Sequence, residues 1–253
     1  MTDSVLSLYD AVADTYARIL PDLRAEAASD LELIDRFGSM VPAGESPVLD
    51  AGCGTGRMLP HLANLGLGPL AGVDLSPAMV AHARRRAPEA RIEVAPLTAL
   101  PFPDAGIRGI LCWYAIIHST TDEVAAVATE AARVLVDGAP VLLAFQAGTG
   151  DRVVPRAYGQ DVTLRAVLHE PDDIAATLEG VGFAIVATAR RTAHPQEKHA
   201  QGFVLARRDP TASGPVLSGQ TGGGSVSAAR GADRHRTDDR RRDRGGQPAE
   251  KQP

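Results

Sequence analysis

The decapeptide VLDAGCGTGR at residues 48–57 constrains the fold more than any other stretch of this chain. Two apolar residues, Val48 and Leu49, run into an acid, Asp50, and then into Gly52, Gly54 and Gly56. Glycine has no Cβ and tolerates positive φ, so such a turn lets the backbone pass close to a ligand. The turn is expected to open a helix near Arg57, leaving N–H groups free to face whatever occupies the loop.

The flanking pattern places that turn at the start of an α/β domain. Apolar residues at helical spacing predict helices over 3–20 and over about 22–37, the second ending at Gly38. A Pro/Gly linker leads into a first strand at 47–50, and a short helix follows over 57–65. Further strands are expected at 70–76, 91–95, 109–118 and 140–145, with helices over 77–86 and 122–135 between them. Residues 148–169 break the rhythm and read as an excursion; a helix over 170–183 and strands at 183–191 and 202–208 close the domain. Strands alternating with helices mean a doubly wound, Rossmann-like, mostly parallel sheet. Seven strands are expected, the last two forming an antiparallel closing hairpin. The expected organisation is a helical cap over 1–40, a core over 41–209 and a tail over 210–253.

Charge is unevenly spread. The tail from residue 211 carries 8 Lys+Arg against 5 Asp+Glu, whereas the body carries 18 against 26, a net −8. With almost no large apolar side chains, the tail is expected to be disordered. An acidic body and an aromatic content of 4% disfavour a nucleic-acid partner and suit an enzyme of small molecules. The two cysteines, Cys53 and Cys112, supply neither a disulfide framework nor a zinc site. No membrane span or leader pattern is read, so the expectation is a cytoplasmic protein, monomeric or homodimeric.

Two features turn the glycine loop away from a dinucleotide. A pyrophosphate fingerprint needs a third glycine where Arg57 stands, and Asp50 is badly placed beside a pyrophosphate. An acid there suits a cofactor with a positive centre and an ammonium group. Asp74 ends the second strand, where an acid accepts hydrogen bonds from ribose hydroxyls. The third strand ends at Ala95, Pro96 and Leu97, where an adenine edge would lie, and the fourth ends at Cys112, Trp113 and Tyr114, lining the same crevice.

Here the chain resembles the class I S-adenosylmethionine-dependent methyltransferases. The matching parts are VLDAGCGTGR, AGVDLSPAMVAHARRR at 71–86, LPFPDAG at 100–106, WYAIIH at 113–118 and RVLVDGAPVLL at 133–143. The resemblance spans roughly residues 5–208 and implies S-adenosyl-L-methionine as cofactor, with S-adenosyl-L-homocysteine as product. It implies that Gly52, Cys53 and Gly54 let the backbone approach the methionine part, with Asp50 toward its ammonium side. Asp74 would hold the ribose, Leu75 and Met79 would pack near the adenine, and Leu97 beside Pro96 would contribute a backbone contact; Cys112 joins this set from the fourth strand. Relatives often carry an acid where Pro96 stands, and Phe-Asp where Ile107-Arg108 stand.

Tyr9 and Tyr16 share one face of the first helix, which in this family often closes over the cofactor. Tyr16 would touch the cofactor, or both would simply pack the helix down. Arg57 would contact the cofactor carboxylate or remain a solvated first-turn residue. His118, after the fourth strand, is the candidate catalytic base, its ordinary pKa near 6.5 suiting a hydroxyl substrate. It would share the substrate with Tyr9, Trp113 and Tyr114. His169, His194 and His199 read as surface histidines without metal-site spacing. The expected reaction is methyl transfer to an oxygen of a small, natural-product-like molecule. N- or C-methylation and a nicotinamide-dependent oxidoreductase are the alternatives, the last disfavoured by the glycine spacing and the absence of a Tyr-x-x-x-Lys pair. For a carboxylate acceptor no base is needed, and a cation such as Arg152, Arg156 or Arg165 would matter more.

Overall fold

A computed structural model describes residues 3–158, 160–195 and 197–209; the expected disordered tail lies outside the described residues. In chain order the elements are α1 (Asp3–Ile19), α2 (Ala28–Met40), β1 (Val48–Ala51), α3 (Leu59–Asn64), β2 (Leu70–Asp74), α4 (Pro77–Arg86), β3 (Arg91–Val94) and β4 (Gly109–Trp113). There follow α5 (Thr121–Val134), β5 (Pro140–Ala147), β6 (Asp151–Ala157), β7 (Gln160–Val167), α6 (Pro171–Glu179), β8 (Phe183–Arg191) and β9 (Ala200–Arg208). Seven strands form one sheet in the order β3-β2-β1-β4-β5-β9-β8. β1 to β5 pair in parallel, and β9 inserts antiparallel between β5 and β8. The order reverses at β1, so the ends of β1, β2 and β4 open on one crevice.

Alternating strand residues build a core on each face of the sheet. Ile110, Cys112, Val141 and Leu143 pack with Val124 and Ala128 of α5 and Leu178 of α6. Leu111, Trp113 and Leu142 pack with Ile34 and Phe37 of α2 and Leu62 of α3. β4 is buried along its whole length, as a central parallel strand must be. No described helix is long and apolar enough to cross a membrane.

Three boundaries differ from expectation. Residues 23–25 form a 3-10 turn, and α2 then runs through Gly38 to Met40. A Cβ at Gly38 would lie 3.2 Å from Leu65, so this glycine serves close packing rather than helix termination. The apolar run 109–118 stops being a strand at Trp113, because Tyr114 turns the chain at φ +60°. The helix after the glycine loop starts at Leu59, two residues beyond Arg57. The excursion is a separate two-stranded antiparallel ribbon, β6 with β7.

Two cations, the half-buried Arg191 and the buried Arg108, hold the frame around the site. Arg191 makes bidentate pairs with the buried Asp30 of α2 and with Glu197, tying α2 to β8 and fixing the loop before β9. Arg108 donates to four backbone carbonyls, of Pro42, Ser46, Leu67 and Gly68, at 2.6–3.1 Å.

Candidate active site

The glycine loop closes on itself. Gly52 and Cys53 both donate their N–H groups to the Val73 carbonyl at 2.8 Å, Gly56 donates to Cys53, and Gly54 donates to Oδ2 of Asp74. These four N–H groups are spent within the protein and do not face a ligand. Gly52, at φ +76°, brings the backbone against Ala115; a Cβ there would sit 2.2 Å from the Ala115 Cβ. Gly52→Ala is therefore expected to shift the loop and weaken binding of S-adenosylmethionine at least about tenfold, read by calorimetry, together with a lowered melting temperature.

Two acids end the strands on either side of this loop. Asp74 is held by the N–H groups of Gly54 and Ser76, both at 2.9 Å, one to each carboxylate oxygen. Each oxygen keeps a lone pair, which suits a vicinal diol. Asp50 is wholly buried, and its Oδ2 has no hydrogen-bond partner. Burial pushes its carboxyl up to about 7; the nearby Arg57 cation works against this and the Asp74 anion adds to it. An orphaned buried carboxylate beside a glycine turn fits a ligand bearing an ammonium group.

The opposite wall comes from α1 and β4. Glu26 receives Arg57 at 2.5 Å on one oxygen and the Trp113 indole N–H at 3.0 Å on the other. The Tyr16 hydroxyl is hydrogen-bonded to Arg57 in turn. Nothing local in the sequence marks Glu26, which sits in the short connection before α2. His118 holds its Nδ1 2.7 Å from the Arg165 carbonyl and its Nε2 3.0 Å from the Tyr9 hydroxyl. A carbonyl only accepts, so Nδ1 carries the proton and Nε2 accepts from Tyr9. Burial lowers the His118 pKa, the Arg165 carbonyl opposes that, and the Arg152 charge adds to it. His118 is thus neutral at pH 7. Tyr158, at φ +52°, packs against Tyr9 and Tyr16 with ring centroids 6.4 and 5.2 Å away.

A cavity of about 260 Å³ gathers most of the expected residues. Tyr16, Gly52, Gly54, Arg57 and Asp74 border it on the loop side, and Leu75, Met79 and Leu97 on the side of β2 and β3. Tyr9, Trp113, Tyr114 and His118 border it on the remaining side. Four expected contacts do not reach it. Cys53 turns inward to pack with Leu59, Val80 and Ile92. Cys112 alternates to the α5–α6 face of the sheet, and Pro96 faces solvent between the lining residues Ala95 and Leu97. Asp50 lies behind the loop rather than on the cavity surface. Gln146 and Tyr158 were not anticipated and line the wall. His169 is buried beside Phe145 rather than exposed, whereas His194 is exposed. A second cavity of about 510 Å³ shares Tyr9, Tyr114, Ile117, His118, Gln146 and Tyr158 with the first.

Residues 48–138 match a protein family described as methyltransferase domain. No curated protein matches the chain by sequence. Among solved structures, magnesium protoporphyrin IX methyltransferase from Synechocystis PCC 6803, solved with bound S-adenosylmethionine, superposes with a TM-score of 0.62 at 22% identity, covering 83% of this chain and 99% of that one. The DhpI–S-adenosylhomocysteine complex gives 0.61 at 20% identity over 82% and 97%. The cyclase SpnF gives 0.62 at 16% over 81% and 96%. Such identities establish the fold alone. The sheet order and the crevice at its reversal point are those of a fold shared with these structures, and residues 48–138 within it match the methyltransferase-domain family.

Proposed function

We propose that the protein transfers a methyl group from S-adenosylmethionine to an oxygen atom of a small molecule. The observation that carries this reading is the pair of abutting cavities. The first is bounded by the glycine loop and Asp74, and the second opens from it across a wall containing His118 and Tyr9. When bound, the cofactor supplies an electrophilic methyl group. The protein's work is to align the acceptor and exclude water, and alignment alone accounts for a large share of such accelerations.

In this reading Asp74 binds the ribose hydroxyls, Asp50 balances the ammonium charge, and Leu75, Met79 and Leu97 flank the adenine. Gly52 and Gly54 let the backbone approach the methionine portion. Arg57, already paired with Glu26, orients Tyr16 and retains N–H groups for the cofactor carboxylate. Tyr9 stands between His118 Nε2 and the cavity, so a hydroxyl acceptor would pass its proton to His118 by way of Tyr9. The protein is incubated with isotopically labelled S-adenosylmethionine and a panel of alcohols, phenols, acids and amines, and products are read by mass. A gain of one methyl on an oxygen is expected; N- or C-methylated products only would refute the oxygen assignment. Binding of NADH without S-adenosylmethionine in calorimetry would refute the whole reading.

The raised Asp50 pKa gives a pH signature. Its folded value lies above the ordinary carboxylate value, so the favourable contribution to stability is complete below about pH 4 and is lost as pH rises through 7. The ligand-free protein should therefore lose stability between about pH 4 and 7, and Asp50→Asn should flatten that part of the melting profile. The same substitution should weaken S-adenosylmethionine binding, and wild-type affinity should fall as pH drops below 7. A variant with unchanged affinity would remove Asp50 from the ammonium role.

A further inference from the structure

The second cavity is lined with uncommitted positive charge. Arg152 of β6 and Lys198 both border it, and neither has a carboxylate partner among the described residues. Arg152 spends one N–H on the Gln146 amide oxygen at 3.0 Å, while its Nε–H is buried without an acceptor. The two acids on the same wall are already hydrogen-bonded to other cations, Glu197 sharing Arg191 with Asp30. Glu26 is taken by Arg57 and the Trp113 indole, and Glu197 by Arg191. The positive potential also reaches His199, whose pKa is lowered first by desolvation and then by Arg152 and Lys198. A neutral acceptor would leave the half-buried Arg152 facing it without compensation.

We propose that the acceptor is a carboxylic acid, its carboxylate held by Arg152 with Lys198 beside it, and that the product is a methyl ester. This rests on the methyl-transfer reading above and adds the substrate class. A guanidinium fork matches the two oxygens of a carboxylate, and a cavity of about 510 Å³ admits a small organic acid. One carboxylate oxygen attacks the methyl carbon, forming the C–O bond as the S–CH3 bond breaks, and the bonding electron pair stays on sulfur. The acceptor's negative charge and the sulfonium's positive charge vanish together. No proton is released, so no base is required. That agrees with a His118 whose two nitrogens are both engaged within the protein.

Trp113, the single tryptophan of the chain, borders the first cavity and reports on the site. The full chain saturated with S-adenosylhomocysteine is titrated with phenylacetate and with phenylacetamide, following indole emission. Phenylacetate is expected to bind at least about tenfold more tightly, and Arg152→Gln is expected to abolish that preference. Arg190→Gln, at an exposed pair with Glu170, should retain it. Equal binding of the two probes, no saturable response to phenylacetate, or a preference that survives in Arg152→Gln would overturn the proposal. Calorimetry with S-adenosylmethionine on the same preparations separates the two readings. Intact cofactor binding with no carboxylate preference sinks the substrate class alone, and absent cofactor binding sinks methyl transfer itself.

Discussion

Asp74→Ala should raise the dissociation constant for S-adenosylmethionine about 10- to 100-fold while leaving the protein folded. Its carboxylate organises two backbone turns at once, through Gly54 N–H at 2.9 Å and Ser76 N–H at 2.9 Å. Removing it frees the glycine loop and takes away the acceptors proposed for the ribose. Two hydrogen bonds to a charged acceptor amount to about 1.5–3 kcal/mol each, and part of the loss falls on the loop rather than the ligand. Asp74→Asn separates the two effects, because an amide oxygen still accepts from one N–H group but lacks the charge. An unchanged affinity in Asp74→Ala, measured by calorimetry, would mean that the ribose lies elsewhere.

Arg108→Met should be the most damaging substitution outside the site. The guanidinium is buried at 6% exposure and collects the carbonyls of Pro42, Ser46, Leu67 and Gly68. Methionine keeps most of the stem and leaves all four carbonyls without that donor. Unsatisfied buried acceptors cost about 1–3 kcal/mol each, moderated where solvent enters, so a total loss of about 3–5 kcal/mol is reasonable. For a body of this size that corresponds to a drop of about 6–15 °C in melting temperature. S-adenosylmethionine affinity, measured below the transition, should stay within about threefold of wild type. A melting temperature within 2 °C of wild type (roughly 1 kcal/mol or less) would show that water replaces the guanidinium freely.

How much of this was legible in the sequence depended on whether a local signal existed. α4 was readable to the residue because Ser76 caps it, Pro77 opens it and three arginines end it. The closing hairpin was readable from two β-rich runs, although only the pairing shows β9 lying inside β8. Gly38 misled because a glycine that permits close packing looks the same as one that ends a helix. The cavity-lining residues on the β1 and β2 turns were readable, since the glycines and Asp74 are dictated by backbone geometry at fixed spacing. Cys53 and Cys112, expected beside the cofactor, both turn their side chains into the core. Strand alternation sends Cys112 to the face opposite Leu111 and Trp113, a distinction the apolar run conceals. Glu26, Gln146 and Tyr158 carry no local pattern and reach the cavities only through the tertiary fold.

The first helix also changes how the domain must breathe. Asp10 of α1 accepts from the Ser76 hydroxyl at 2.5 Å and from the Ala78 N–H at 3.1 Å, while Ser76 caps α4 through the Met79 N–H. The start of α4 therefore borrows part of its capping from α1. Ser76 also donates to Asp74, so one serine joins the outer helix to the acid at the strand end. Swinging α1 outward would open the cavity and, in the same stroke, loosen the turn that aims Asp74. Entry of the nucleoside and seating of α1 are thereby coupled through a single residue, whose hydroxyl meets Asp10 and whose backbone N–H meets Asp74, and each favours the other by the same free energy.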